Sequence, residues 1–136
     1  MLEAAGVRVL RCSRWYRSAP VPASDQPWYV NAVAAVDTRL PPAALLELLH
    51  STEERLGRVR SVPNAARMVD LDLLAYGESI SGPPGPVIPH PRLQERAFVL
   101  LPLRDVAPDW RHPRTGVGIE DLIAALTEDQ ITQPLA

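Results

Sequence analysis

A chain of 136 residues with a formal charge of −2 and one cysteine, Cys12, fits a single domain over residues 1–136 and excludes a disulfide framework within the chain. At this size roughly two-thirds of the unfolded surface can be buried, so no such staple is needed. The charge speaks against bulk nucleic-acid or membrane-surface binding, and no apolar run approaches the roughly 20 residues of a membrane span.

The opening residues carry no basic region ahead of an apolar stretch, so no secretory leader is read there and a cytoplasmic location is expected. All 14 basic side chains are arginine, a bias with a plain origin in base composition. Arginine forks nonetheless suit phosphate wherever they converge. The 15 prolines exceed the average of about 5% but fall at segment ends, as loop punctuation.

In chain order, residues 1–5 read as a helix end stopped by Gly6. Residues 7–16 carry a strand signal, 18–27 a loop broken by Pro20, Pro22 and Pro27, and 28–38 a second strand. In that strand Tyr29, Asn31, Val33, Ala35 and Asp37 share one face, and Val30, Ala32, Ala34 and Val36 form the face expected to be buried. Residues 41–56 are the clearest helix, with Leu45, Leu48, Leu49, Thr52 and Leu56 at helical spacing and Gly57 as its end. Residues 58–66 read as a loop, 68–76 as a strand, and Gly77-Glu78-Ser79 as a hairpin turn to a short strand near Ile80. A Pro/Gly-rich loop covers 82–91, a helix 93–103 that Pro102 interrupts or ends, and a last helix 119–126. The order predicts an α+β fold, an antiparallel sheet with helices packed on it.

The chemistry concentrates around Arg67-Met68-Val69-Asp70-Leu71-Asp72-Leu73. In a strand, residues i and i+2 point the same way, about 6.5–7 Å apart. Asp70 and Asp72 then share a face while Val69, Leu71 and Leu73 turn to the core. Two carboxylates on one face repel unless a cation lies between them, and hard oxygen ligands suit Mg²⁺. The plain alternative is a solvated face with incidental acids. Arg58, Arg60, Arg67 and Arg96 lie nearby in sequence, which is the company a metal-bound triphosphate needs. Tyr29 and Asn31 put an aromatic and an amide on one strand face. With Phe98 they would hold and read a flat heterocycle, although such an aromatic is most often packing. His90 sits in a constrained loop between Pro89 and Pro91.

Five segments in order resemble 6-hydroxymethyl-7,8-dihydropterin pyrophosphokinase, a folate-pathway family. They are Tyr16-Arg17-Ser18-Ala19-Pro20, Asp25-Gln26-Pro27-Trp28-Tyr29-Val30-Asn31-Ala32, Leu56-Gly57-Arg58-Val59-Arg60, Arg67 to Leu73, and Ile88-Pro89-His90-Pro91 leading to Glu95-Arg96-Ala97-Phe98-Val99-Leu100. The resemblance implies a ferredoxin-like sheet and Mg-dependent transfer of pyrophosphate from ATP to the pterin's hydroxymethyl group, with AMP released. It implies that Asp70 and Asp72 hold two Mg²⁺ ions and that Arg58 and Arg67 contact the triphosphate and assist transfer. Glu53, Arg60, His90 and Arg96 match nucleotide contacts. Tyr29 and Phe98 match the rings that hold the pterin, Asn31 the amide that reads it, and Ser18 and Val21 the pocket loop. A monomer acting on two small molecules is expected, with no nucleic-acid or membrane partner.

Three departures accompany the match. Pro63-Asn64-Ala65-Ala66-Arg67 stands where the family has Trp-Gly-Pro-Arg, and Gly85-Pro86-Val87 carries no counterpart of an arginine found in some members. The chain also begins near the end of the family's first helix, N-terminally truncated relative to it. A start assigned too late is the favoured expectation, since the site residues remain. The alternative is a truncated, inactive paralogue that at most binds nucleotide or pterin.

Overall fold

The computed structural model describes residues 5–19, 28–59 and 71–135, except for the side chains of 56–59. Residues 1–4 of the expected helix end at 1–5, residues 20–27 of the expected loop at 18–27, and the segment 60–70 lie outside the described residues. The elements run β1 (Val7–Cys12), β2 (Tyr16–Ser18), β3 (Tyr29–Asn31), β4 (Ala34–Thr38), α1 (Pro42–Val59), a 3-10 turn (Leu93–Glu95), α2 (Ala97–Val106), α3 (Ile119–Ala124) and β5 (Thr132–Pro134). This is an α+β chain with antiparallel pairing, as expected for a ferredoxin-like member. It forms two compact units, residues 1–8 with 37–90 and residues 9–36 with 91–136.

The first unit is organised by α1. Its leucine spacing turns Leu45 and Leu49 inward against Val7, and Leu40, Leu48, Leu71, Leu73 and Tyr76 pack around them. Thr52 is buried on the same face, and its hydroxyl donates to the Leu48 carbonyl at 2.8 Å, which meets the need for a partner. The helix runs on through Gly57 to Val59. The expected stop at Gly57 is therefore corrected: glycine in a helix interior costs only about 1 kcal/mol and does not end the hydrogen-bond ladder.

The strand expected at 68–76 is also corrected over its described part. Residues 71–76 form no ladder, although the expected alternation holds, with Leu71 and Leu73 against α1 and Asp72 exposed. The segment is tied down by other bonds. The Leu74 carbonyl accepts from the His90 amide at 2.8 Å, and the Tyr76 hydroxyl donates to the Leu40 carbonyl at 2.6 Å. The turn after Tyr76 forms as read, with Gly77 at φ +55° and the Ser79 amide 2.9 Å from the Tyr76 carbonyl. The short strand near Ile80 reduces to a bridge between Ser81 and Ile88.

In the second unit β3, β2 and β5 form an antiparallel sheet with β2 in the middle. Tyr16 faces Asn31 and Pro134, and Ser18 faces Tyr29 and Thr132. Each long expected strand is thus divided. Residues 13–15 separate β1 from β2, and 32–33 separate β3 from β4. A side chain takes one ladder position at the break: the Ser13 amide donates to the Val33 carbonyl at 2.8 Å, while the Ser13 hydroxyl accepts from the Val33 amide at 2.9 Å.

The face expected to be buried is corrected as well. Val30 is 53% exposed and Val36 37% exposed. Helix α2 packs against β2 and β5, so the helix cover falls on the side of Tyr16 and Ser18. Strand β5 has no counterpart in the sequence reading, and α3 ends at Ala124 rather than 126.

The expected helix over 93–103 is a 3-10 turn, an extended Arg96, and then α2 from Ala97. No cap comes from Arg96 itself. Gln130 supplies one from a distance, its Oε1 accepting from the Ala97 amide at 2.8 Å and its Nε2 donating to the Glu95 carbonyl at 2.8 Å. Pro102 neither ends nor breaks the helix, which continues to Val106.

Candidate functional site

The best-defined part of the site lies in the second unit, where β3 meets α2. Strand alternation puts Tyr29 and Asn31 on one face. Asn31 Nδ2 donates to the backbone oxygen of Phe98 at 2.5 Å. Its Oδ1 is buried without a hydrogen-bond partner, a condition shared among the described residues only with Gln94 Oε1. An amide oxygen left bare in this way costs free energy unless a ligand or water donates to it. The opposite amide orientation would set two oxygens face to face, so the bond to Phe98 fixes which atom is presented.

Arg96, at the start of α2, holds its guanidinium 5.3 Å from the centre of the Phe98 ring. At that range a cation is attracted to the ring face. Tyr29 is more than half exposed and pairs in register with Ser18. Ser18 is buried, and its hydroxyl meets that of Thr132 at 2.9 Å. Structure thus brings Asn31, Phe98 and Arg96 together and sets Tyr29 and Ser18 side by side.

A polar cluster around the buried Tyr16 ties α2 to β2. The Tyr16 hydroxyl, on β2, donates to Asp105 of α2 at 2.9 Å, and Arg14 grips the same carboxylate through Nε and one terminal nitrogen, each at 3.1 Å. The Arg14 backbone amide adds a bond at 3.1 Å. Bonding to Arg14 holds the Asp105 carboxyl below its ordinary range, and burial, with help from Asp105, pushes the Tyr16 phenol up. Sequence reading missed this cluster, since Arg14 and Asp105 are 91 positions apart.

The remaining predicted residues belong to the first unit. Glu53 is partly buried on α1, and the backbone of Arg58 lies near the end of that helix. Asp72 is exposed, and His90 is partly buried. Val21, Arg60, Arg67 and Asp70 lie outside the described residues. The described residues contain no group of three or more acidic, histidine or cysteine side chains placed to hold a metal. Asp72 supplies the hard oxygen donors that suit Mg²⁺, and its exposure leaves them open to water and phosphate. No helix among the described residues is long and apolar enough to cross a membrane.

These features define an α+β protein in which a strand amide bonds the backbone of a helix whose start carries an arginine over an aromatic ring. Comparison with known proteins narrows the class. Residues 1–108 match the family model described as 7,8-dihydro-6-hydroxymethylpterin-pyrophosphokinase, and the chain belongs to that family. It is 45% identical over 118 residues to the 2-amino-4-hydroxy-6-hydroxymethyldihydropteridine pyrophosphokinase of Pseudomonas aeruginosa, a match covering 87% of this chain and 72% of that protein. Identity to the Synechocystis protein of the same name is 43% over 119 residues, covering 88% of this chain and 60% of the relative. The folic acid synthesis protein fol1 of Pneumocystis carinii is 41% identical over 126 residues, 93% of this chain but 17% of the fungal protein. The chain therefore spans less than two thirds of the length of two of these three relatives.

Proposed function

We propose that this chain transfers pyrophosphate from ATP to the hydroxymethyl group of 6-hydroxymethyl-7,8-dihydropterin, releasing AMP, as a step in folate biosynthesis. The observation that carries the reading is the buried, unpartnered Oδ1 of Asn31 beside Phe98. A reduced pterin is a flat ring system with N–H donors on one edge, and an acceptor fixed in a buried wall beside an aromatic suits it. Tyr29 and Phe98 hold the ring faces, Asn31 reads the edge, and Ser18 and Val21 belong to the pocket loop.

The pterin hydroxyl attacks the β-phosphorus in line, the bond between the β-phosphorus and its bridging oxygen to the α-phosphate breaks, and the hydroxyl proton passes to solvent. Such a step needs placement and charge neutralisation more than a strong base. Arg58 and Arg67 neutralise the triphosphate, and Glu53, Arg60, His90 and Arg96 hold the nucleotide. Asp70 and Asp72 would hold two Mg²⁺ ions, which would supply further neutralisation of the triphosphate charge. The same reading takes the chain as a cytoplasmic monomer with two small-molecule substrates and no nucleic-acid or membrane partner.

Calorimetry tests it directly. The chain is titrated with a non-hydrolysable ATP analogue and Mg²⁺, then with the pterin, and AMP formation from ATP is followed by chromatography. Binding of both ligands with pterin-dependent AMP release supports the reading. Binding of one ligand or neither, without AMP, identifies the inactive paralogue instead.

A further inference from the structure

Pro102 lies inside α2, four positions after Phe98. In a regular α-helix the amide of residue i donates to the carbonyl of residue i−4, so position 102 is the donor for the carbonyl of Phe98. Proline has no amide hydrogen, and in a helix interior it is strongly unfavourable relative to alanine. The residue whose carbonyl loses its helix donor is the one whose carbonyl accepts from Asn31 Nδ2. That bond in turn leaves Asn31 Oδ1 as the bare buried atom.

We propose that Pro102 is a positioning residue for the heterocycle site: by withholding a helix hydrogen bond it leaves the Phe98 carbonyl to Asn31 and fixes the Asn31 amide with its oxygen facing the ligand. The part that concerns ligand affinity rests on the reading of Asn31 as the amide that meets the pterin edge. A residue with an amide at position 102 would compete for the same carbonyl. The Asn31 amide would then be free to turn over and present its NH₂ group, a donor facing donors. Pro102 touches no substrate in this account and acts only through Phe98 and Asn31.

The test compares the wild-type chain with Pro102→Ala in two measurements. In the ligand-free chain, NMR reads the scalar coupling between the Asn31 side-chain nitrogen and the Phe98 carbonyl carbon. Calorimetry then gives the dissociation constants for 6-hydroxymethyl-7,8-dihydropterin and for the Mg-bound ATP analogue. The expected result is loss of the coupling and about a tenfold rise in the pterin constant, with the nucleotide constant unchanged. The melting temperature should not fall, because alanine restores a helix bond, whereas a merely structural role for the proline predicts a lower one. An α-hydroxy acid at position 102, which has an ester oxygen in place of the amide, should restore both coupling and affinity. Retention of the coupling or of wild-type pterin affinity in Pro102→Ala overturns the proposal. The ligand-free coupling decides the orienting role even if the wild-type chain takes no pterin, a result that overturns the substrate reading alone.

Discussion

The side-chain nitrogen of Asn31 on β3 lies 2.5 Å from the backbone oxygen of Phe98 on α2, so a strand residue serves a helix carbonyl 67 positions away. This one bond does two things. It ties the sheet to the helix, and it decides which end of the amide is left over. Asn31→Ala should therefore lose about 1 kcal/mol of stability through the missing bond. It should also weaken pterin binding by about tenfold or more through the missing acceptor, with nucleotide binding intact. Asn31→Asp should be worse for stability, since an anionic oxygen replaces the donor opposite the Phe98 carbonyl. Thermal melts and calorimetry with each ligand read these effects separately.

The contact of Tyr16 and Arg14 with Asp105 makes stability depend on pH at both ends. Asp105 has its carboxyl held low, chiefly by the Arg14 side chain. Its contribution is therefore complete above the unfolded value near 3.8 and is lost as pH falls through the lower folded value. Tyr16 has its phenol raised, chiefly by burial. That contribution is complete below the unfolded value of 10.0 and is lost as pH rises through the higher folded value. Asp105→Asn should cost about 1–3 kcal/mol at neutral pH and flatten the acid limb of the stability profile. Tyr16→Phe should flatten the alkaline limb. Denaturant unfolding at several pH values measures both.

How far the sequence revealed the fold depended on the range of the interaction. Helix α1 and the turn at Gly77 were readable because leucine spacing and glycine act over a few residues. The division of the long strands was not, because it depends on Ser13 meeting Val33 from 20 positions away. The cap of α2 comes from Gln130, and the helix tolerates Pro102 while a side chain from another element occupies the freed carbonyl. Nothing local signals either. In the site, Asn31, Phe98 and Arg96 were identified from family-like motifs, and the structure sets them in contact. The orphaned oxygen of Asn31 could be found only once its partner was known.

Burial separates a leucine from a valine that a strand or helix pattern alone treats alike. Leu45 is 3% exposed in the α1 core, whereas Val30 is 53% exposed on β3. Leu45→Ala leaves a cavity against Val7 and Leu49 and should cost about 2–5 kcal/mol. Val30→Thr keeps the β-branched shape on an open face and should change stability by less than about 0.5 kcal/mol. Chemical denaturation of the two variants checks the contrast. A large loss in Val30→Thr would mean that this face is covered in solution.

Asp72 offers a test in which folding and chemistry come apart. Its carboxylate is exposed, while its neighbours Leu71 and Leu73 pack against the α1 core. Removing the carboxylate therefore touches no buried contact, and Asp72→Ala should change stability by less than about 0.5 kcal/mol. Asp72 is one of the two carboxylates of the proposed metal pair, and its loss would halve the charged ligand set proposed for Mg²⁺. Pyrophosphoryl transfer should then fall below detection, since the triphosphate would carry its charge without the bridging cation. Pterin affinity should remain near that of the wild-type chain, because Asn31 and Phe98 are untouched. AMP release, pterin calorimetry and a melting curve on one variant give the three readings. Normal Mg-dependent turnover in Asp72→Ala would remove Asp72 from the proposed metal pair while leaving the proposed heterocycle site untouched.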